Sequence, residues 1–185
     1  RRCSAHGVAG RSMEDRTGER SNAPYGRPQA VGRIKAARVA IDQSGAGVLL
    51  TARAECWLVG HPDPLRESIR RLQAYAEAGA DVLYAPGPRT SEDIREIVTA
   101  LSPKPVNFLS LNTTLRVSDL AELGVRRISV GSSLARAAWA GFIRAARAIA
   151  QEGSFAGFDG SPPGTELTAL FQQNLRGLPG ADPFR

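Results

Sequence analysis

The sequence predicts an α/β fold built on parallel strands, either the wall of a (β/α) barrel or a doubly wound sheet. Three observations carry this. Short β-rich runs alternate with helix-patterned segments along nearly the whole chain. The clearest strand candidate, Val48-Leu49-Leu50-Thr51-Ala52, is a continuous apolar run of the kind found where both faces of a strand are covered. Four strand-then-helix units follow one another at roughly 20–35 residues each, enough for right-handed crossovers between parallel strands.

Taken in order, Gly7-Val8-Ala9-Gly10 reads as a short strand leading through Met13 to Glu14-Asp15. A loop rich in Gly, Pro and Asn runs from Arg16 to about Pro28. Ala30 to Gln43 carries Val31, Ile34, Ala37, Val39 and Ile41 at approximately helical spacing, and Gly45-Ala46-Gly47 ends it. After the strand at Val48–Ala52, a helix is expected from Pro64 to Ala78, with Leu65, Ile69, Leu72, Tyr75 and Ala76 inward and Gly79 closing it. Val82–Ala85 is the next strand. Ser91 is placed to cap a helix through Leu101, with Glu92 and Asp93 in its first turn. Val106–Leu109 is a strand, Ser118 is placed to cap a short helix ending at Gly124, and Arg127–Val130 is the last strand. Gly131-Ser132-Ser133 opens a long helix to about Gln151. Ser132 and Ser133 either cap that helix or leave its free N–H groups to an anion. The tail from Gly153 is rich in Gly and Pro, with a helical stretch at Glu166–Gln172 and a disordered-looking end from Pro179 to Arg185. The expected organisation is a barrel portion at 1–152 and a helical tail at 153–185.

Composition narrows the function. The chain of 185 residues is 42% hydrophobic and 23% charged, a globular balance. No apolar run approaches the ~20 residues that cross a bilayer, so no membrane span is expected. Arg1-Arg2-Cys3-Ser4 is not followed by an apolar stretch, which argues against a secretory signal, and the start reads as cut. The net charge of +6 raises the possibility of a nucleic-acid binder. However, the only lysines are Lys35 and Lys104, and the arginines are spread along the chain with no zinc-finger, RRM or helix-turn-helix pattern. No nucleic-acid partner is expected. Cys3 and Cys56 form neither metal spacing nor a disulfide framework, His6 and His61 form no zinc motif, and a reducing cytoplasm is the expected location. Gly45-Ala46-Gly47 precedes a strand, whereas a dinucleotide fingerprint follows one.

In a parallel barrel, chemistry sits at the C-terminal ends of the strands. Those ends carry Glu14-Asp15, Arg53 with Glu55, Pro86-Gly87, Leu111-Asn112 and Gly131-Ser132. Arg53 suits bidentate binding of a carboxylate or phosphonate. Glu14 and Asp15 suit a hard cation, directly or through water. The alternative is structural: Arg53 and Glu55 share one strand face and can pair with each other or with Glu14.

The same residues resemble a family. Gly10-Arg11-Ser12-Met13-Glu14-Asp15-Arg16-Thr17-Gly18 resembles the strand-four motif of the isocitrate lyase/phosphoenolpyruvate mutase family, and Thr51-Ala52-Arg53-Ala54-Glu55 resembles its strand-five motif. Ala74 to Leu83 resembles the run from helix into strand six, and Leu123 to Gly131 resembles strand eight. The likeness is to the phosphonomutase-like branch. It implies a partial (β/α)8 TIM-type barrel, strands about four to eight with C-terminal helices. It also implies a Mg²⁺-dependent lyase or mutase acting on C–C or C–P bonds of small 2-oxo carboxylates. Glu14 would then belong to the metal shell. Arg53 would clamp the substrate's carboxylate or phosphonate, and Glu55 would orient Arg53 or bridge to the metal. Subunits would form a homo-oligomer with exchanged C-terminal helices, with Trp139, Phe142 and Ile143 in the core or the interface.

The sequence departs from the family in several places, among them Arg11 inside the first strand, where an apolar residue is expected, and Ser110–Leu115, which replaces a Gly/Pro-rich loop. The loop Arg16–Pro24 has no Cys, Lys or His, which argues against an isocitrate or methylisocitrate lyase. The family's principal metal-binding aspartates lie on strands two and three, ahead of the segment matched here. The chain is therefore expected to be incomplete or weakly active, with a non-catalytic oligomerisation module or a gene relic as the alternative.

Overall fold

The computed structural model describes residues 8–18, 23–111 and 114–176. Strand and helix alternate in it: β1 (Gly10–Glu14), α1 (Arg27–Ser44), β2 (Leu49–Arg53), α2 (Pro64–Glu77), β3 (Val82–Tyr84), α3 (Ser91–Leu101), β4 (Val106–Leu109), α4 (Val117–Glu122) and β5 (Arg127–Ser129). Helices α5 (Ser133–Arg147) and α6 (Gly164–Arg176) follow. All neighbouring strands pair in parallel, in the order β1-β2-β3-β4-β5. A doubly wound sheet reverses its strand order partway, and this one does not. The fold is a five-stranded parallel half-barrel with C-terminal helices, consistent with a partial (β/α)8 barrel.

The local differences from the sequence reading have physical causes. The first strand runs Gly10–Glu14, later than expected, because it pairs residue for residue with Leu49–Arg53. Glu14 therefore lies within the strand. Helix α1 begins at Arg27, placing Pro28 in the first turn, where its missing N–H costs nothing. Thr90, not Ser91, caps α3, its hydroxyl accepting from the Asp93 amide at 3.1 Å. At α4, Asp119 reaches back to the Arg116 amide at 2.7 Å, and Ser118 lies inside the first turn. Ser132 stands at the N-cap of α5 without a side-chain cap bond, and the helix passes at Ala148 into a π-helical turn ending at Glu152. The expectations made for Cys3, His6, Gly7, Asn112 and the tail from Pro179 lie outside the described residues.

The chain divides into two compact units, Arg1–Gly131 and Ser132–Arg185. In the first, one face of the sheet is apolar. Leu50, Ala52, Leu83 and Val106 meet Ala30, Ile34 and Ile41 of α1, Leu72 and Tyr75 of α2, and Ile97 and Leu101 of α3. A smaller cluster joins Phe108 to Ile94, Leu120, Leu123 and Val125. Gly87, at φ +129, lets the loop after β3 close on the loop after β2, since a Cβ there would fall 2.3 Å from Cβ of Trp57. In the second unit, Gly157 packs against Ala145 of α5.

Trp139, Phe142 and Ile143 are not core residues of this chain. They are 60%, 63% and 42% exposed, with Trp139 and Phe142 in edge-to-face contact at 5.2 Å. Helical spacing of apolar residues marks a face but does not say what covers it. Among the described residues, no helix is long and apolar enough to cross a membrane.

Candidate functional site

The face of the sheet opposite the helices carries polar side chains along one row. Glu14, Arg53, Tyr84, Asn107 and Arg127 are successive Cα partners across all five strands. Alternation along each strand puts residues two apart on one face, so Thr51 and Ser129 belong to this face too. Asn107 donates to the Ser129 hydroxyl at 3.0 Å, and Arg127 donates to Thr51 Oγ1 at 3.4 Å. A closed barrel usually fills its interior with branched apolar side chains, so a polar row at this position calls for a chemical explanation.

Arg53 is the centre of that row. Its Nε donates to Glu55 Oε1 at 2.7 Å, its guanidinium lies 4.9 Å from the Tyr84 ring centroid, and Nη2 stands 3.6 Å from Glu14 Oε2. Glu55 is buried, at 1% side-chain exposure, whereas the Glu14 side chain is half-exposed. The two contacts therefore differ in kind. The first is short, charge-assisted and shielded from water. The second is long and open to solvent, and a competing anion can displace it. The structure thus brings Glu14, Arg53 and Glu55 together.

Asp15 has a separate place. Its carboxylate is 3% exposed and fully engaged. Oδ1 accepts the Glu55 amide at 2.9 Å, and Oδ2 accepts Arg71 Nη1 at 3.0 Å and the Tyr75 hydroxyl at 2.6 Å. Arg71 also donates to the Tyr25 carbonyl and, through Nε, to Glu67 at 2.9 Å, while Arg27 holds the far side of Glu67 at 3.0 Å. Arg71 and Glu67 were not read from the sequence as site residues. The available signal was a pair of opposite charges four residues apart on the helix face that also carries Ser68, Leu72 and Tyr75.

The described residues do not by themselves make up a Mg²⁺ site. Among the described residues, no group of three or more His, Cys, Asp or Glu side chains is placed to hold a metal. Asp15 has both oxygens engaged and Glu55 is turned to Arg53, which leaves Glu14 as one accessible carboxylate. Mg²⁺ usually takes one or two protein carboxylates and completes its octahedron with waters and substrate oxygens, so Glu14 could serve as one ligand but does not fix a site alone. On the same end of the sheet, a cleft of about 470 Å³ opens between the loops after β3 and β4. It is lined by Leu58, Gly87, Arg89, Ser91, Leu109 and Leu111, among others, and is large enough for a small ligand.

Burial raises the Glu55 carboxyl above the usual carboxylate value, against the hydrogen bond and charge of Arg53, which lower it. At Glu67 burial also opposes ionisation, but the hydrogen bonds from Arg27 and Arg71 outweigh it and hold the carboxyl below its usual value. For Glu55 the folded state binds its proton more tightly than the unfolded chain does. Its contribution to stability is therefore full below the unfolded value, near 4.5, and is lost as pH rises through the higher folded value. Urea melts at about pH 4 and about pH 7 should show the stability of the native chain falling relative to Glu55→Gln as pH rises. A difference that stays constant or grows would contradict this assignment.

Residues 1–150 match the family model described as phosphoenolpyruvate phosphomutase. A structure from Burkholderia cenocepacia, described as a lyase/mutase, is 40% identical with a TM-score of 0.84, over 91% of this chain and 60% of that one. Oxaloacetate acetylhydrolase, solved with its product oxalate, is 25% identical with a TM-score of 0.77, over 90% of this chain and 58% of that one. An uncharacterized protein of Mycobacterium tuberculosis is 34% identical over 144 residues, 77% of this chain and 52% of its own length. The chain thus spans about half the length of the curated relatives it matches.

Proposed function

Because the chain belongs to the phosphoenolpyruvate phosphomutase family, we propose that its first unit carries the acid-binding part of a lyase or mutase site for a small 2-oxo carboxylate. Arg53 is the group that holds the substrate's carboxylate or phosphonate. The observation that carries this reading is the asymmetric setting of its guanidinium. Nε is fixed by buried Glu55 and one face is supported by Tyr84, while the contact of Nη2 to Glu14, among the described residues, is long and open to solvent. A guanidinium fixed on one edge presents its remaining donors without a further entropic cost of ordering, which favours a planar anion.

Glu55 acts as the orienting group. It is buried against Arg53, so it is not proposed as a proton carrier. Glu14 is the exchangeable counter-charge that an incoming substrate anion replaces. The reaction class of the family, making or breaking a C–C or C–P bond beside a carboxylate, needs metal-binding groups that the described residues do not supply. The proposal for this chain is therefore confined to anion recognition, with catalysis weak or absent in this chain by itself.

A homo-oligomer formed through the second unit is part of the same proposal. It is supported by the exposure of Leu134, Trp139, Phe142, Phe155 and Phe171, at 75%, 60%, 63%, 69% and 68%. Large apolar side chains are seldom left grouped on a monomer's surface. Light scattering after size exclusion should give a mass above that of one 19.7 kDa chain, and a clean monomer would sink this part.

The anion-binding reading is tested by calorimetric titration with oxalate, the smallest planar diacid. The unaltered chain should bind, and Arg53→Gln should weaken binding at least about tenfold, as expected for losing a charge-assisted hydrogen bond. Equal affinity in the two proteins would overturn it.

A further inference from the structure

Resting on the reading of Arg53 as the anion-binding group, we propose that Arg71 and Tyr75 are positioning residues for it. They lie on α2, behind the sheet, and act through Asp15 and the Glu55 peptide. Nothing in the family match assigns a role to either.

The connection is continuous in hydrogen bonds. Arg71 Nη1 and the Tyr75 hydroxyl meet Asp15 Oδ2 at 3.0 and 2.6 Å. The other oxygen of the same carboxylate accepts the Glu55 amide at 2.9 Å. The Glu55 side chain then accepts Arg53 Nε at 2.7 Å. The two oxygens of Asp15 are thus held from opposite sides, by a helix on one and a strand end on the other. A carboxylate held in this way fixes the plane of the peptide it bonds. A tilt of the Glu55 peptide would carry its side chain, and with it the guanidinium edge offered to an anion.

Arg71 is itself held in three directions, by Asp15, by the Tyr25 carbonyl and by Glu67, whose other side is held by Arg27. The Tyr25 amide also donates to the Asp15 carbonyl at 2.7 Å. The base of the loop after β1 is thereby tied to the same arginine. Burial and the Asp15 charge push the Tyr75 hydroxyl well above its ordinary value, so it remains a donor across the working range. A purely structural network would need no ordered path to the front of the sheet, and the Asp15–Glu55 bond is that path.

The test follows the Nε–Hε signal of Arg53 by NMR on the ¹⁵N-labelled full chain, with oxalate as the probe. Tyr75→Phe keeps the ring and removes one donor. Arg71→Lys keeps the charge and removes the fork. Leu101→Ala in the helix-facing core is the control, because it lowers stability without touching the path. Both path variants should move the Arg53 signal, and Arg71→Lys should weaken oxalate about tenfold, while the control lowers Tm and leaves signal and affinity in place. An unmoved Arg53 signal in folded Tyr75→Phe would overturn the proposal, and so would an equal shift in Leu101→Ala. If Arg71→Lys fails to fold, Tyr75→Phe decides. If the unaltered chain binds no oxalate, the anion-binding reading fails alone, and the Arg53 signal still decides the positioning role.

Discussion

The carboxylate of Asp15 joins three parts of the first unit that would otherwise be independent. It stands just past the end of β1, and accepts one bond from the strand end next to it and two from the helix behind. A carboxylate 3% exposed is tolerable only if it is paired and fully hydrogen-bonded. Here Arg71 supplies the charge, and the Tyr75 hydroxyl and the Glu55 amide supply the remaining donors. Removing any one would leave a buried charge short of a partner. The parallel ladder of β1 and β2 ends at Glu14 and Arg53, and the Asp15–Glu55 bond carries that connection one residue past β1 and two past β2 through a side chain. This is how the strand end is held in the geometry on which the proposed anion site depends.

The sheet divides its two faces by chemistry. Toward the helices, Leu50, Ala52, Leu83 and Val106 are buried in a continuous apolar cluster. On the other face the Cα row from Glu14 to Arg127 is polar or charged throughout. Apart from the buried Tyr84 ring, such a row gains little from hydrophobic burial, which supports the anion recognition proposed for it. The strength of its contacts is graded: Arg53–Glu55 is short and shielded, and Arg53–Glu14 is long and wet. In the proposed reading, that grading separates the bond that orients the guanidinium from the one a ligand would displace. The raised Glu55 carboxyl belongs to the same picture, since burial costs its charged form more than the nearby arginine returns.

Much of this was legible in the sequence. The apolar run at Val48–Ala52 and the β-rich run at Val106–Leu109 located strands, because a strand covered on both faces tolerates such a run, and the sequential order of units implied parallel pairing. The motif Thr51–Glu55 placed Arg53 beside Glu55 by simple alternation. Other features were not legible because they depend on partners distant in the chain. Glu67 and Arg71 look like a solvated pair four apart on a helix, and only the fold reveals that Asp15 sits opposite them. The start of β1 is set by its register with β2, which no local pattern contains. Trp139 and Phe142 carry the spacing of a core face, yet spacing alone does not specify what that face meets. The cap of α3 differed by one residue, Thr90 for Ser91, because adjacent hydroxyls offer nearly equal candidates.

The central claim is that the Asp15–Glu55 bond is a stable part of the core and not an incidental contact at a strand end. Native-state hydrogen exchange of the Glu55 amide tests this most directly. Its exchange should be as slow as that of the β2 amides, requiring the opening of the first unit. Exchange at the rate of the exposed loop residues that follow it would contradict the account.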